Sequence, residues 1–333
     1  MDKCAAWPHS SGVWVSKRVR WFDWEASIEV RGKSRSLLFQ INRSSAMLQR
    51  FFISLLFSLL LLPAAGWAQV YCSAESQARL ERHLQALSES PDLAECDMGT
   101  IAITVGQRLL GLPYVGKTLE KPGPEQLVIE LEGLDCTTFL ENVVVLGRLV
   151  KLQELTPEAF QRELQLLRYR QGELKGYPSR LHYFSDWLHD NQQKGLLTDI
   201  TAEIGGQSYP KTIDFMGTHR SAYAALADDD YYAAMLGIEE ALNQRTRYYI
   251  PQEEVSELEH HIRDGDLIAI TTTIEGLDIS HVGLAIHHQG RLHLLHASTD
   301  AQRVVVSERP LAEYLLAHRS QSGILVARLQ DPS

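Results

Sequence analysis

Basic residues are in short supply in this chain, 32 Lys and Arg against 42 Asp and Glu over 333 residues, a formal charge of −10. Such a surface repels polyanions, which excludes nucleic-acid binding as its business. Long apolar runs are also missing. The exception, Phe51 to Leu62, is apolar except for Ser54 and Ser58, and it is too short to span about 30 Å of hydrocarbon. There is no internal repeat and no low-complexity tract. Cysteine is scarce, four in all, and after the N-terminal region only Cys72, Cys96 and Cys136 remain.

The apolar run reads as a processing signal. Met47-Leu48-Gln49-Arg50 is a short positive start, Pro63 ends the run, and Gly66-Trp67-Ala68 offers small residues to a signal peptidase. Residues 47–68 are therefore expected to be a cleavable signal peptide. Val70-Tyr71 before Cys72 lacks the small residue of a lipoprotein site. Residues 1–46 then have no role and are expected to be an over-extended start, poorly ordered. The remaining residues 69–333 would carry 23 basic and 38 acidic residues, a formal charge of −15. They suit one domain, with helical insertions at about 151–250. An oxidising compartment permits a Cys72–Cys96 disulfide. Cys136 is then the odd cysteine, and an unpaired thiol in an exported protein calls for an explanation.

Residues 74–112 have helical periodicity, with Leu80, Leu84 and Leu87 on one face and Ile101, Val105 and Leu109 on another. The segment after Cys136, Phe139 to Val150, is apolar on most sides, as a central helix should be. Thr156-Pro157 signals a capped helix start, Tyr177-Pro178-Ser179 a helix through about Asp190, and residues 221–244 one more. After Pro251 the pattern turns to strands: Asp266–Ile270, Ser280–Ile286, Arg291–Ala297, Arg303–Ser307 and Gly323–Leu329, with turns at Asp264-Gly265 and Gln289-Gly290. Helices first and antiparallel strands last predict an α+β fold.

Cys136 stands at the start of the central helix, where partial positive charge lowers a thiol pKa. A buried cysteine is ordinarily just a small hydrophobe, but two downstream histidines argue otherwise. His281 shares its strand face with Gly283 and Ala285, small neighbours that leave room for a helix to pack closely. His296, on the next strand, can orient the His281 ring as the third member of a triad does. His287, His288 and His293 read as turn or outer-face residues. His293 and His296 are three apart on a strand and face opposite ways, unlike paired zinc ligands on a helix; no metal and no cofactor is expected.

Asp135-Cys136 at a helix start, Gly265-Asp266-Leu267, Ser280-His281-Val282-Gly283 and Leu295-His296-Ala297-Ser298-Thr299 resemble the NlpC-type papain-like superfamily of cell-wall hydrolases. Gly111-Leu112-Pro113-Tyr114-Val115 with Thr118-Leu119-Glu120, the Ser179 to Trp187 segment, Asp214-Phe215-Met216 and Gly276-Leu277-Asp278 are similar to its N-acetylmuramoyl-L-alanine amidase-like branch. The likeness spans about residues 95–330. Thr137-Thr138 departs from the Ser-Gly that many superfamily members carry there, and suits the narrower branch. The resemblance implies a papain-like core, a helix-borne cysteine packed on an antiparallel sheet or half-barrel. It implies attack by Cys136, with His281 as base and then acid, and the Cys136 N–H as oxyanion donor. Tyr114, Arg180, Tyr183 and Ser280 are the expected substrate-binding residues, Arg180 as a carboxylate partner. Asp135 reads first as the helix cap.

The branch implies cleavage between the lactyl group of N-acetylmuramate and L-alanine in muropeptides, by a periplasmic or secreted monomer. Cleavage of the γ-D-glutamyl–diaminopimelate bond by the same machinery is the near alternative; an inactive peptidoglycan-binding module is the distant one. Export has a direct consequence. Protein recovered from the periplasm should begin near Gln69 on N-terminal sequencing, and residues 1–46 still attached would contradict both the signal and the start assignments.

Overall fold

The computed structural model describes residues 70–332; the expected upstream extension and signal peptide lie outside the described residues. The chain begins with β1 (Val70–Cys72) and α1 (Ala74–Ser88), whose Ser73 caps it by accepting the Ser76 N–H. Leu80, Leu84 and Leu87 are buried as the periodicity requires. The helical stretch is nevertheless two helices. Pro91 disfavours helical backbone at Ser90 (φ −125°, ψ 61°), and a 3-10 turn at Pro91–Glu95 precedes α2 (Met98–Arg108).

β2 (Leu127–Ile129) pairs with β1 in parallel. It leads to α3 (Cys136–Leu152), buried nearly all round from Thr138 to Val150. Its start is fixed by a reciprocal cap: Asp135 accepts the Thr138 N–H at 2.8 Å, and the Thr138 hydroxyl accepts the Asp135 N–H at 2.9 Å. Thr156 and Pro157 open α4 (Pro157–Arg168) as expected. Tyr177–Ser179 makes only a 3-10 turn. The chain then runs extended, bridged to Tyr169 at Arg180, before α5 (Phe184–Gln193) begins. Next come β3 (Leu197–Asp199), β4 (Gln207–Ser208) and the short α6 (Phe215–Thr218). The helix expected over 221–244 is α7 (Asp229–Asn243), capped by Asp228 and preceded by two 3-10 turns.

β5 (Tyr248–Pro251) and α8 (Val255–Leu258) introduce the strands β6 (Leu267–Thr272), β7 (Ile279–His288), β8 (Arg291–Ser298) and β9 (Arg303–Val306). Helix α9 (Leu311–Ala317) then precedes β10 (Gln321–Leu329). The principal sheet has eight strands in the order β4-β5-β10-β6-β7-β8-β9, with β3 also on β10. The strands from β6 to β9 form an antiparallel meander. This is an α+β fold.

Each sheet face has its own core. Val282, Leu284, Ile286, Leu295 and Ala297 pack with Phe139 and Val143 of α3. Ala285, Leu292 and Leu294 pack with Leu311, Ala312 and Leu315 of α9. A helix does pack on the small-residue side of the sheet, as expected, but it is α9; the central helix lies on the Val282 side.

The expected Cys72–Cys96 disulfide is not formed: Cys72 carries a free thiol. Cys72 precedes α1 and Cys96 follows it.

Helices α3 and α4 are joined to β2 by a buried ion pair. Arg168 donates to Glu141 at 2.8 Å and to the Val128 carbonyl at 2.6 Å. Removing one member leaves a buried charge unpaired. Arg168→Met should therefore cost about 3–5 kcal/mol, read from the urea midpoint, and Arg168→Met with Glu141→Leu should recover much of it. Equal losses in the two variants would contradict this.

Candidate active site

The sheet edge leads the chain to Cys136. Beyond β9, Gly111 donates to the Val304 carbonyl at 2.9 Å, Val304 to Leu112 at 2.8 Å and Tyr114 to Gln302 at 2.9 Å. Leu134 then pairs with this segment, donating to Pro113 at 3.0 Å and accepting from Val115 at 3.2 Å. Two residues later α3 begins. Cys136 is thus delivered to a sheet end by backbone hydrogen bonds, while its helix stacks on β7 and β8.

The Cys136 side chain keeps some solvent access. Its thiol is pushed up to about 11, by burial first and by the Asp135 carboxylate second, against hydrogen bonding from the Val282 and Thr137 backbones. The helix terminus that the sequence points to is therefore outweighed, and the resting group is a thiol. The Val282 contact places the thiol against the residue that follows His281.

His281 and His296 meet. The His281 Nε2 to His296 Nδ1 distance is 2.6 Å, with the rings nearly perpendicular at 85°. Both are buried, His296 at 1% exposure. Burial lowers His281 to about 4 and His296 to about 3; Asp300 opposes the shift at His281, and His318 adds to both. Both rings are neutral at neutral pH. The bond uses His281 Nε2, and its Nδ1 has no hydrogen-bond partner among the described residues. Gly283 makes the pairing possible: a Cβ there would lie 2.9 Å from the His296 Cβ and 2.8 Å from the Leu295 carbonyl oxygen.

Tyr114 is half-buried beside Cys136. Burial and then the Cys136 and Asp135 charges raise its hydroxyl to about 12, so it stays protonated. That hydroxyl has no partner among the described residues. Ser280 is exposed, its hydroxyl donating to the Ile270 carbonyl at 3.4 Å.

Other expected site residues are held elsewhere. Arg180 is 6% exposed and commits its guanidinium to Glu120 at 2.5 Å, Glu125 at 3.5 Å and the Leu119 carbonyl at 3.3 Å; it is an internal cation, not a free carboxylate partner. Tyr183 is buried, donating to Glu239 at 2.6 Å and accepting the Met216 N–H at 2.7 Å. Trp187 stacks on Phe184 in the core. Tyr183 and Trp187 therefore serve packing inside the core. Asp278, in the Gly276-Leu277-Asp278 motif, is buried and accepts the Ser185 N–H at 2.7 Å, which caps α5 from a distance.

Sequence reasoning missed Tyr314 on α9, edge-on to His296 at 5.7 Å, and the Val282 backbone; a single tyrosine in a short amphipathic helix carries no signal of its own. Among the described residues no group of three or more His, Cys, Asp or Glu is arranged to hold a metal ion. His293, for example, is bonded to the Ser307 carbonyl at 2.8 Å. A cavity of about 520 Å³ is lined by Thr218, Arg220, Ser221, Tyr223, Ala224 and Ala227, none of them a candidate site residue.

The fold is shared with a Legionella pneumophila protein, 23% identical, covering 78% of this chain and 98% of that one with a TM-score of 0.60. Sequence narrows the class to amidase-like hydrolases. Residues 104–324 match the AmiA-like family, N-acetylmuramoyl-L-alanine amidase-like, and the chain belongs to that family. A solved N-acetylmuramoyl-L-alanine amidase from Bacteroides uniformis is 37% identical, covering 70% of this chain and 99% of that one, with a TM-score of 0.68. A Bacteroides fragilis structure named as a suggested xylanase is 38% identical, with 68% and 99% covered and a TM-score of 0.65. No curated protein matches.

The buried histidines set an acid limit on stability. Their folded pKa values, about 4 and about 3, lie below the ordinary 6.5. Between those values the unfolded chain binds more protons than the folded one, so stability falls as pH drops below 6.5 and levels only near 3. His296→Gln should flatten this dependence in denaturation experiments from pH 7 to 3. An unchanged slope would show that the pair is not buried neutral.

Proposed function

We propose that this protein hydrolyses the amide between the lactyl group of N-acetylmuramate and L-alanine in muropeptides, with Cys136, His281 and His296 as its catalytic group. The observation that carries the reading is the Cys136 thiol against the Val282 backbone, one residue from a histidine whose Nδ1 is unengaged and whose Nε2 is bonded to a second histidine. Family membership supplies the substrate class.

The chemistry follows from the two neutral groups. Sγ attacks the lactyl carbonyl carbon while His281 Nδ1 takes the thiol proton. General-base transfer in the attack step suits a thiol whose environment disfavours a free thiolate. His296 Nδ1 accepts from His281 Nε2–H throughout and steadies the imidazolium. The carbonyl oxygen becomes an oxyanion facing the Cys136 N–H at the helix start, with the Tyr114 hydroxyl as second donor. The C–N bond breaks as His281 returns its proton to the alanine nitrogen. Water, activated by the same ring, then hydrolyses the thioester.

This core corresponds to a papain-like arrangement, with residues 151–250 as helical elaboration. The enzyme would act as a periplasmic or secreted monomer after loss of residues 47–68; no helix among the described residues is long and apolar enough to cross a membrane. With Arg180, Tyr183 and Trp187 engaged internally, the choice of bond rests on the family. A γ-D-glutamyl–diaminopimelate endopeptidase using the same residues is the alternative.

Two substrates separate these readings: a muramoyl tetrapeptide and the same tetrapeptide without its sugar. The expected result is release of intact tetrapeptide from the first, no action on the second, and loss of turnover in Cys136→Ala with the fold retained. Release of L-Ala-D-Glu from the sugar-free peptide would move the assignment to the endopeptidase. Activity lost to a chelator and restored by zinc would overturn the cysteine mechanism.

A further inference from the structure

Residues 115–126, between Tyr114 and β2, form a loop without helix or strand. One buried cation organises it. Arg180, 6% exposed, donates to the Leu119 carbonyl at 3.3 Å and to Glu120 at 2.5 Å, and its Nε lies 3.5 Å from the Glu125 carboxylate. The guanidinium also lies over the Tyr177 ring, 5.0 Å from its centroid. Glu120 and Glu125 bracket Lys121-Pro122-Gly123-Pro124, so one side chain gathers both ends of that stretch. A buried charge is stable only when paired, and both carboxylates come from this loop.

The same loop borders Tyr114. A Cβ built on Gly116 would lie 3.8 Å from Tyr114 Cε1 and 3.9 Å from the Tyr114 hydroxyl oxygen, so the Gly116 backbone runs alongside that ring. Lys117, next in the chain, has φ 61°, a left-handed conformation that a side chain disfavours. Thr118 is buried with its hydroxyl unpartnered, a second cost. Both persist because the chain is held on either side of them. Before them, Tyr114 donates to Gln302 at 2.9 Å and Val115 to Leu134 at 3.2 Å. After them, Arg180 holds Leu119 and Glu120.

We propose that Arg180 is a positioning residue for the Tyr114 hydroxyl: by clasping Leu119 and Glu120 it holds residues 116–120 against the Tyr114 ring, and so sets where the second oxyanion donor stands. The Tyr114 backbone is fixed by the sheet, but its side chain is not. With no hydrogen-bond partner among the described residues, the hydroxyl depends on packing for its place, and the Gly116 backbone is part of that packing. The guanidinium acts through the loop, not on the substrate. A lysine at this position would keep the charge and lose the planar fork that meets Leu119 and Glu120 together.

The proposal rests on Tyr114 donating to the oxyanion, and its test separates the two. NMR of the full chain with labelled tyrosine rings, without substrate, reports the surroundings of Tyr114, whose signal is assigned by its loss in Tyr114→Phe. That signal should shift in Arg180→Lys and in Glu120→Ala. With a muramoyl tetrapeptide, Arg180→Lys should lower kcat on the order of tenfold with KM little changed, and Tyr114→Phe on the order of a hundredfold. In the Tyr114→Phe background, Arg180→Lys should cost about twofold at most, because the group it positions is gone. A raised KM with kcat unchanged would make Arg180 a partner of a substrate carboxylate and overturn the proposal. So would equal losses in the two backgrounds, or an unmoved Tyr114 signal in a folded variant. If Arg180→Lys does not fold, Glu120→Ala, at an exposed position, decides by the same readings. An unaltered chain that leaves the muramoyl tetrapeptide intact, with the Tyr114 signal shifting as expected, would count against the amidase reading alone.

Discussion

The arrangement depends on the approach of the α3 N-terminus to the backbone of β7 at Val282. Cys136 reaches that point because the Gly111–Val115 segment and Leu134 continue the sheet beyond β9, and because the Asp135–Thr138 cap ends the extended chain at one residue. On the other side, apolar side chains of β7 and β8 hold the helix down through Phe139 and Val143. Burial is thus both the means of positioning and the cause of the unusual protonation: the thiol is pushed up and both imidazoles are pushed down. At rest the thiol and both imidazoles are therefore neutral, and they form no ion pair.

Much of this was legible in the sequence, for identifiable reasons. The strands from β6 to β10 announced themselves by alternation between turn residues, and α3 by its unbroken apolar run. The strand period of two put His281 on a face with Gly283 and Ala285 and turned His293 away from His296. What failed involved tertiary partners. Which core the small-residue face meets is decided by α9, a seven-residue helix whose contacts no local pattern announces. The helical reading of 74–112 missed the effect of Pro91 on Ser90. The proposed roles of Arg180 and Tyr183 missed their partners, Glu120 and Glu239, which lie far along the chain.

Those engaged residues explain what the segment between α4 and β5 contributes physically. Its polar side chains are bound to one another and to the loops beside the site. Tyr183 ties Glu239 of α7 to Met216, Asp278 caps α5 from the turn before His281, and Arg180 holds Glu120 in the loop that follows Tyr114. The motifs at 179–187 and 276–278 are therefore engaged internally, whereas the Tyr114 hydroxyl has no partner among the described residues and Ser280 is exposed.

The central claim is that Cys136 is acylated by the muramoyl side of the scissile amide. Acid quenching of a reaction with a muramoyl tetrapeptide, followed by mass analysis of the peptide bearing Cys136, tests residue and bond together. The expected result is a Cys136 thioester carrying the mass of the N-acetylmuramoyl group. An L-alanyl-γ-D-glutamyl adduct on Cys136, or turnover with no adduct on that cysteine under conditions that trap an acyl-enzyme, would contradict the account.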